Sequence, residues 1–299
     1  MINNNFLKKV INDPDSVSEL GLNDISIILK TAKNIFEEEN ILLEISLDDS
    51  NKEIYVIGDI HGNLSTLLKL IEEVNEKKPE KVIFLGDIVD RGPKQLECLL
   101  FVLALKILEP QKYFLLRGNH ETLEMNQYYG FAQEFMSRIK NMEKFNEILE
   151  VYNMLPLCAL INRTILCLHG GIPQDLEILN KLRNVKTKDL NVIFDSVSQD
   201  LVQIMWNDPK TNLRGFSASF RGPGIKFFGE DVFEAFLNKN KLKYVIRAHE
   251  CFPEGYRWFF HNRLLSIFSS ANYRGTFSPN PASYVIIRNS KVILKLLRL

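Results

Sequence analysis

Short apolar runs that stop abruptly at glycine beside a polar residue set the rhythm of this chain. EIYVIGD (53–59), KVIFLGD (81–87) and KYFLLRGN (112–119) are each followed by apolar positions at helical spacing: Leu64 to Val74, Leu96 to Ile107, and a further helical stretch after Asn119. Short apolar runs closed by glycine predict buried strands, and a 3.6-residue period predicts helices. Their alternation predicts an α/β sheet whose polar groups gather at the carboxyl ends of the strands. Ahead of these runs Ile25, Ile28, Leu29, Ala32, Ile35 and Phe36 predict an amphipathic support helix laid on a larger body.

The second half holds TILCLHGG, YVIRAHE, RLLSIFSS, SYVIIRN and KVILKLL with fewer helices between them, so the sheet is expected to be extended or doubled. The last two runs flank Asn289-Ser290 as a hairpin does. Residues 1–18 are polar and mixed, with Asp13-Pro14-Asp15-Ser16 as turn chemistry, and are expected to be a flexible segment. Residues 19–299 are expected to form one domain that includes the support helix, because no Pro-, Gly- or Ser-rich linker and no repeat divides them.

Composition narrows the partners. With 45% hydrophobic residues in 299, a substantial core can form. Lys+Arg and Asp+Glu number 37 each, so no basic field argues for nucleic acid or an anionic membrane, and anion recognition must be local. Cys98, Cys158, Cys167 and Cys251 form no C-x-x-C pair and sit in apolar surroundings such as ILCLH, which predicts buried thiols in a reducing compartment. No run approaches about 18 apolar residues and MINNNFLKKVINDPDS lacks the features of a leader, so a soluble cytoplasmic protein is expected. No long tail follows KLLRL, which leaves regulation to partner subunits or the first residues.

The polar punctuation carries the chemistry. Asp59, His61, Asp87, Asn119, His169 and His249 all close apolar runs. Any one of them could be turn chemistry alone. Together they form a mixed carboxylate, imidazole and amide set that suits Mn, Fe or Zn better than an all-oxygen calcium site or a thiolate zinc site.

In order along the chain stand GDIHG (58–62), GDIVDRG (86–92), RGNHE (117–121), HGGI (169–172), WNDP (206–209), RGPGIKFFG (221–229), RAHE (247–250) and SSANY (269–273). Over roughly residues 20 to 290 the chain resembles the phosphoprotein phosphatase family, which includes protein phosphatase 1, protein phosphatase 5 and calcineurin. The resemblance implies a metallophosphoesterase-like β-sandwich of mixed sheets flanked by helices. It implies two metal ions, one held by Asp59 and His61, the other by Asn119, His169 and His249, with Asp87 bridging. A water or hydroxide between the metals would attack the phosphoester, so that no protein nucleophile is required. His120 would be the general acid with Asp90 orienting it, Arg91 and Arg221 the phosphate clamp, Tyr273 a residue lining the site beside Asn119, and Asp208 a support behind it. The substrates implied are phosphoserine and phosphothreonine proteins.

Two other functions compete. Diadenosine tetraphosphate hydrolases share GDIHG, GDxVDRG and GNHE, but RGPGIKFFG and SSANY look like the protein phosphatases. An inactive phosphoprotein-binding scaffold is opposed by the filled set of catalytic roles. The pattern departs from the family at Arg274, where a cysteine is usual, at Ala271, where proline is usual, and, as a minor change, at Asn63. These departures bear on the loop 274–281 beside the cleft. His261, outside every block, is expected at the surface or in packing. Arg214 and Arg247 are expected in structural ion pairs. Tyr256, Trp258, Phe259 and Phe260 are expected in a strand or the core.

Overall fold

The computed structural model describes residues 4–47, 51–185, 198–275 and 277–298. The chain runs through α1 (Asn4–Asn12), a 3-10 turn (Pro14–Glu19), α2 (Leu22–Glu37), β1 (Leu42–Ile45) and β2 (Glu53–Ile57). It continues with α3 (Leu64–Lys77), β3 (Lys81–Phe84), α4 (Gln95–Leu108), β4 (Tyr113–Leu115), α5 (Leu123–Tyr129), α6 (Phe131–Ile139) and α7 (Met142–Asn153). Then come β5 (Cys158–Ile161), β6 (Ile165–Leu168), α8 (Ile178–Leu182), α9 (Ser198–Trp206), β7 (Asp208–Pro209), β8 (Phe216–Ala218), β9 (Lys226–Phe228) and α10 (Glu230–Asn240). The last strands are β10 (Tyr244–Arg247), β11 (Tyr256–Phe259), β12 (Leu264–Ile267), β13 (Ser283–Arg288) and β14 (Lys291–Leu296).

Two mixed sheets carry this order, β14-β13-β2-β3-β4 and β1-β5-β6-β10-β12-β11. Strands β2, β3 and β4 are parallel, as are β6, β10 and β12, which brings their carboxyl ends to common edges. A layer of Ile54, Val56, Ile83 and Leu85 with Cys167, Ile246, Leu265 and Ile267 is buried between the sheets. Since successive side chains on a strand point to opposite faces, the other faces need cover too. Residues of α1 to α7 pack on the five-stranded sheet and residues of α8 to α10 on the six-stranded one. The expected helix-flanked sandwich is therefore present, and Asn289 and Ser290, both at positive φ, make the expected β13–β14 hairpin.

The N-terminal expectation needs correcting, because Asn4–Asn12 is helical with Leu7 and Val10 fully buried. The reason lies in α4, whose residues from Gln95 to Lys106 are all buried. A helix apolar on every side needs a second covering layer. Leu7 and Val10, three apart on one face of α1, join the core that α4 builds, with α2 beside them.

Asn63 does more than a minor change would suggest. Its Oδ1 caps α3 by accepting Thr66 N at 3.2 Å, and its Nδ2 donates to Ala271 O at 2.9 Å. The start of α3 is thereby tied to the SSANY loop. A third, three-stranded sheet, β7-β9-β8, was not anticipated and carries Asp208 on its first strand.

Candidate active site

The loops after β2, β3, β4, β6 and β10 meet where the two sheets' carboxyl ends converge. Backbone contacts fix this meeting. Ile60 N and His61 N both donate to Asp87 O, at 3.0 and 2.9 Å, which locks the GDIHG loop to the GDIVDRG loop. Gly86 has φ +103, and a Cβ there would fall 2.3 Å from Gly118 N, so the loops after β3 and β4 touch backbone to backbone. His61, Asp87, Asp90, Arg91 and His249 also sit at positive φ. Non-glycine residues hold such conformations at a cost of about 1–3 kcal/mol each, and only where their surroundings over-determine them.

At the centre lies Asp87. Its Oδ1 accepts His120 N at 2.9 Å, leaving Oδ2 inward, 3.3 Å from His169 Nε2 and 3.6 Å from His61 Nε2. Asp59 follows the same plan: Oδ1 accepts His249 N at 3.0 Å and Oδ2 lies 3.6 Å from His61 Nε2. His61 Nδ1 is 2.9 Å from Val89 O and His169 Nδ1 is 2.9 Å from Leu85 O. Since a carbonyl can only accept, each of these nitrogens is the protonated donor, and the Nε2 lone pair turns inward. Asn119 Oδ1 and His249 Nδ1 then approach His169 Nε2 at 2.9 and 3.2 Å.

Acceptors thus converge on acceptors, an arrangement that needs a positive charge between them. His61 and Asp87 offer closely spaced ligand atoms in a group completed by His120 rather than Asp59, and Asp87, His169 and His249 form a second, with Asp87 common to both. The donor set fits a pair of divalent cations. Burial alone would raise Asp87, but His169, His120 and His61 hold its carboxyl far below the usual range. Burial would lower His61, yet Asp59 and Asp87 outweigh it and lift it to about 9. Carboxylates that raise an imidazole's affinity for a proton raise it for a competing cation as well. His249 goes the other way, lowered first by burial and then by the Arg221 and His169 charges.

His120 stands apart from this pattern. Its Nδ1 is 2.7 Å from Asp90 Oδ2, and Nε2 lies 3.9 Å from Asp87 Oδ2. Asp90 is itself held, its Oδ2 accepting from Asn126 Nδ2 at 2.9 Å and its Oδ1 from Phe131 N at 3.0 Å. Asn126 also donates to His120 O at 2.8 Å.

Arg91, Arg221 and Tyr273 line one cavity of about 140 Å³ with His61, Asp87 and His120. The Arg91 guanidinium lies 3.7 Å over the Tyr129 ring, and Tyr273 stacks on His61 at 5.1 Å. Arg221 Nε donates to Asp208 Oδ2, whose other oxygen accepts Arg247 Nη2 at 2.9 Å. Arg247, fully buried, also binds Glu250 Oε2 and Gly170 O, each at 2.6 Å, in keeping with a structural ion pair. Arg214 is almost wholly exposed, 3.9 Å from Asp231, and His261 is an exposed partner of Glu230. Phe259 and Phe260 are in the core, as expected.

Glu121, inside a quoted block but given no role there, is the main residue that sequence reasoning missed. Its Oε2 accepts Asp87 N and Gly118 N, both at 2.8 Å, and its Oε1 accepts Ile88 N at 3.0 Å. Burial and the Asp87 charge push its carboxyl up to about 7. Asn126, Tyr129 and Trp206 were missed as well. Cys251 and Arg257 also stand at the C-x₅-R spacing of a cysteine phosphatase, which corrects the expectation that no cysteine here has an arginine six residues on. The structure shows no such loop: Arg257 lies 4.1 Å over the Phe252 ring and contacts Glu254, and burial pushes the Cys251 thiol up to about 12.

A β-sandwich with a shared-carboxylate cluster at its strand ends defines a metallophosphoesterase, and residues 52–253 match the calcineurin-like phosphoesterase family, to which the chain belongs. Within it the chain is 32% identical over 289 residues to serine/threonine-protein phosphatase BSL2 of Arabidopsis thaliana, covering 93% of this chain and 28% of that protein. It thus spans little more than a quarter of that relative's length. A solved serine/threonine phosphatase from Saccharomyces cerevisiae, described as similar to human phosphatase PP5, superposes with a TM-score of 0.85 at 28% identity, over 100% of this chain and 96% of that one.

Proposed function

We propose that the chain is a metal-dependent protein serine/threonine phosphatase. The observation that carries this reading is the placement of Asp87 Oδ2 among three imidazoles, in the same cavity as the His120–Asp90 pair and two arginines. Asp59 and His61 would hold one cation, Asn119, His169 and His249 the other, and Asp87 both. Mn, Fe or Zn suits such donors. When bound, the pair supplies Lewis acidity and lowers the pKa of water to near neutrality.

The protein's own part is positioning and proton delivery. Arg91 and Arg221 present guanidinium groups to the phosphoryl oxygens, and the Asp208 carboxylate aims Arg221. Water oxygen forms the new bond to phosphorus while the phosphorus–ester oxygen bond breaks, its electron pair staying on the serine or threonine oxygen. The His120 Nε2 proton goes to that oxygen, and Asp90 stabilises the charged imidazole and sets its orientation. Tyr273 and Asn119 wall the bound group. The cavity of about 140 Å³ admits a phosphoryl group. Among the described residues no helix is long and apolar enough to cross a membrane. Four free cysteines favour a reducing, cytoplasmic location, with phosphoproteins as substrates and regulatory subunits as partners.

The test compares phosphoserine peptide, phosphotyrosine peptide and diadenosine tetraphosphate on metal-stripped protein with Mn²⁺ returned. Turnover of phosphoserine, abolished by chelation, is expected. Preference for diadenosine tetraphosphate, or undiminished activity in stripped protein, would overturn the reading.

A further inference from the structure

Among the described residues seven large hydrophobic side chains are exposed, and the three aromatic ones are Tyr128, Phe220 and Phe277. Each belongs to a different loop or helix end, and each stands close in sequence to a residue lining the catalytic cavity: Tyr129, Arg221 and Tyr273. Two are joined to the cavity wall by contact. The Tyr128 ring meets the Tyr129 ring edge-on at 4.7 Å, and Tyr129 lies 4.9 Å from His120. The Phe220 ring is 5.9 Å from the Arg221 guanidinium carbon and 5.4 Å from the Phe227 ring. Phe277 lies four residues beyond Tyr273 and is fully exposed.

Single exposed apolar residues are ordinary, but two exposed rings that each touch a residue of the cavity wall are not scatter. Rings left in water at 78% and 85% exposure bury area only when something docks on them. The occupant follows from continuity with the cavity. An extended peptide advances about 3.3 Å per residue, so a ring some 6 Å from the phosphate-facing Arg221 meets the side chain about two residues from the phosphorylated one.

We propose that Tyr128, Phe220 and Phe277 form a recognition rim for the polypeptide on either side of the phosphorylated residue. It selects substrates with aromatic or long aliphatic side chains within about three residues of the phosphoester. The inference rests on the protein phosphatase reading and adds its substrate class.

The experiment uses the full chain with Mn²⁺ and three esters: a phosphoserine peptide flanked by Leu and Phe, the same peptide flanked by Ala, and p-nitrophenyl phosphate, which has no flanks. The wild type should prefer the apolar-flanked peptide in kcat/KM by about 10–50-fold, the range for burying one or two such side chains. Phe220→Ala and Tyr128→Ala should each cut that preference about 3–10-fold, and Phe277→Ala should cut it measurably. All three should leave p-nitrophenyl phosphate turnover within about two-fold, because the rings touch no reacting atom. These side chains are exposed, so the variants should fold as the parent does. Equal kcat/KM of the wild type on both peptides would overturn the rim, as would losses that are the same on p-nitrophenyl phosphate as on peptides. No turnover of any of the three esters is a different result, which removes the phosphatase reading and the rim with it.

Discussion

Glu121→Ala is the substitution whose cost the structure sets out most fully. The carboxylate accepts three buried backbone N–H groups, from Asp87, Ile88 and Gly118, and so joins the loop after β3 to the loop after β4. Alanine leaves all three donors without an acceptor. At about 1–3 kcal/mol per orphaned buried donor, the loss is roughly 3–9 kcal/mol. Relief of repulsion between the Glu121 and Asp87 carboxylates offsets part of it. A net loss of about 3–5 kcal/mol is expected, a large share of the usual 5–15 kcal/mol of a domain. Glutamine is the sharper probe. With its Oε1 where Oε2 stood, it still accepts from Asp87 N and Gly118 N, but its amide faces Ile88 N donor to donor. One orphan, about 1–3 kcal/mol, is then expected. Urea unfolding of stripped protein should order the midpoints wild type, Gln, Ala at constant slope. Mn²⁺ should raise the melting temperature of the wild type more than that of either variant, since the backbone of Asp87 is what Glu121 holds. An alanine variant with the wild-type midpoint, or a glutamine variant less stable than alanine, would refute the reasoning.

His120→Asn should lower kcat on alkyl phosphates roughly 10²–10⁴-fold and lose much less on p-nitrophenyl phosphate, whose leaving group needs little protonation; equal losses on both would deny the acid role. Arg221→Ala should raise KM, lower kcat and weaken inhibition by inorganic phosphate, and unchanged phosphate inhibition would remove Arg221 from the clamp. Arg274→Cys should reduce any preference for acidic over basic phosphopeptides by only a few-fold, an effect that fades with salt because the side chain is exposed. Identical selectivity in the two proteins at low ionic strength would show that Arg274 does not face the substrate.

What could be read in advance followed from local rules. Ile54 to Ile57 and Val82 to Phe84 form unbroken apolar runs because parallel strands are covered on both faces, and glycine follows where the chain must turn to present Asp59 and Asp87. The missed features depend on partners distant in sequence. Phe6, Leu7, Val10 and Ile11 do recur at helical spacing, but over only nine residues, and the surface they cover is supplied by α4, far along the chain. Glu121 resembles any loop glutamate, since three backbone donors from two loops leave no trace in spacing. Asn126 differs from a solvent-facing helix residue through Asp90, 36 positions earlier, and through the His120 carbonyl. Cys251 and Arg257 show the converse, correct spacing without the geometry that would give it meaning. The β7-β9-β8 sheet has strands of two or three residues, too short for any period to register.

The joining of Asp59 to His249 spans 190 positions and both sheets of the sandwich. Cations seated among such groups would bind the folded chain and not the unfolded one. At a free concentration one hundred times the dissociation constant, that linkage adds about 2.7 kcal/mol to folding stability. The supply of metal in a cell would then govern how long each copy survives proteolysis as well as how fast it turns over substrate. A fall in supply would thin the population itself, and restoring the ion later would not at once restore the lost capacity, because new chains would first have to be made.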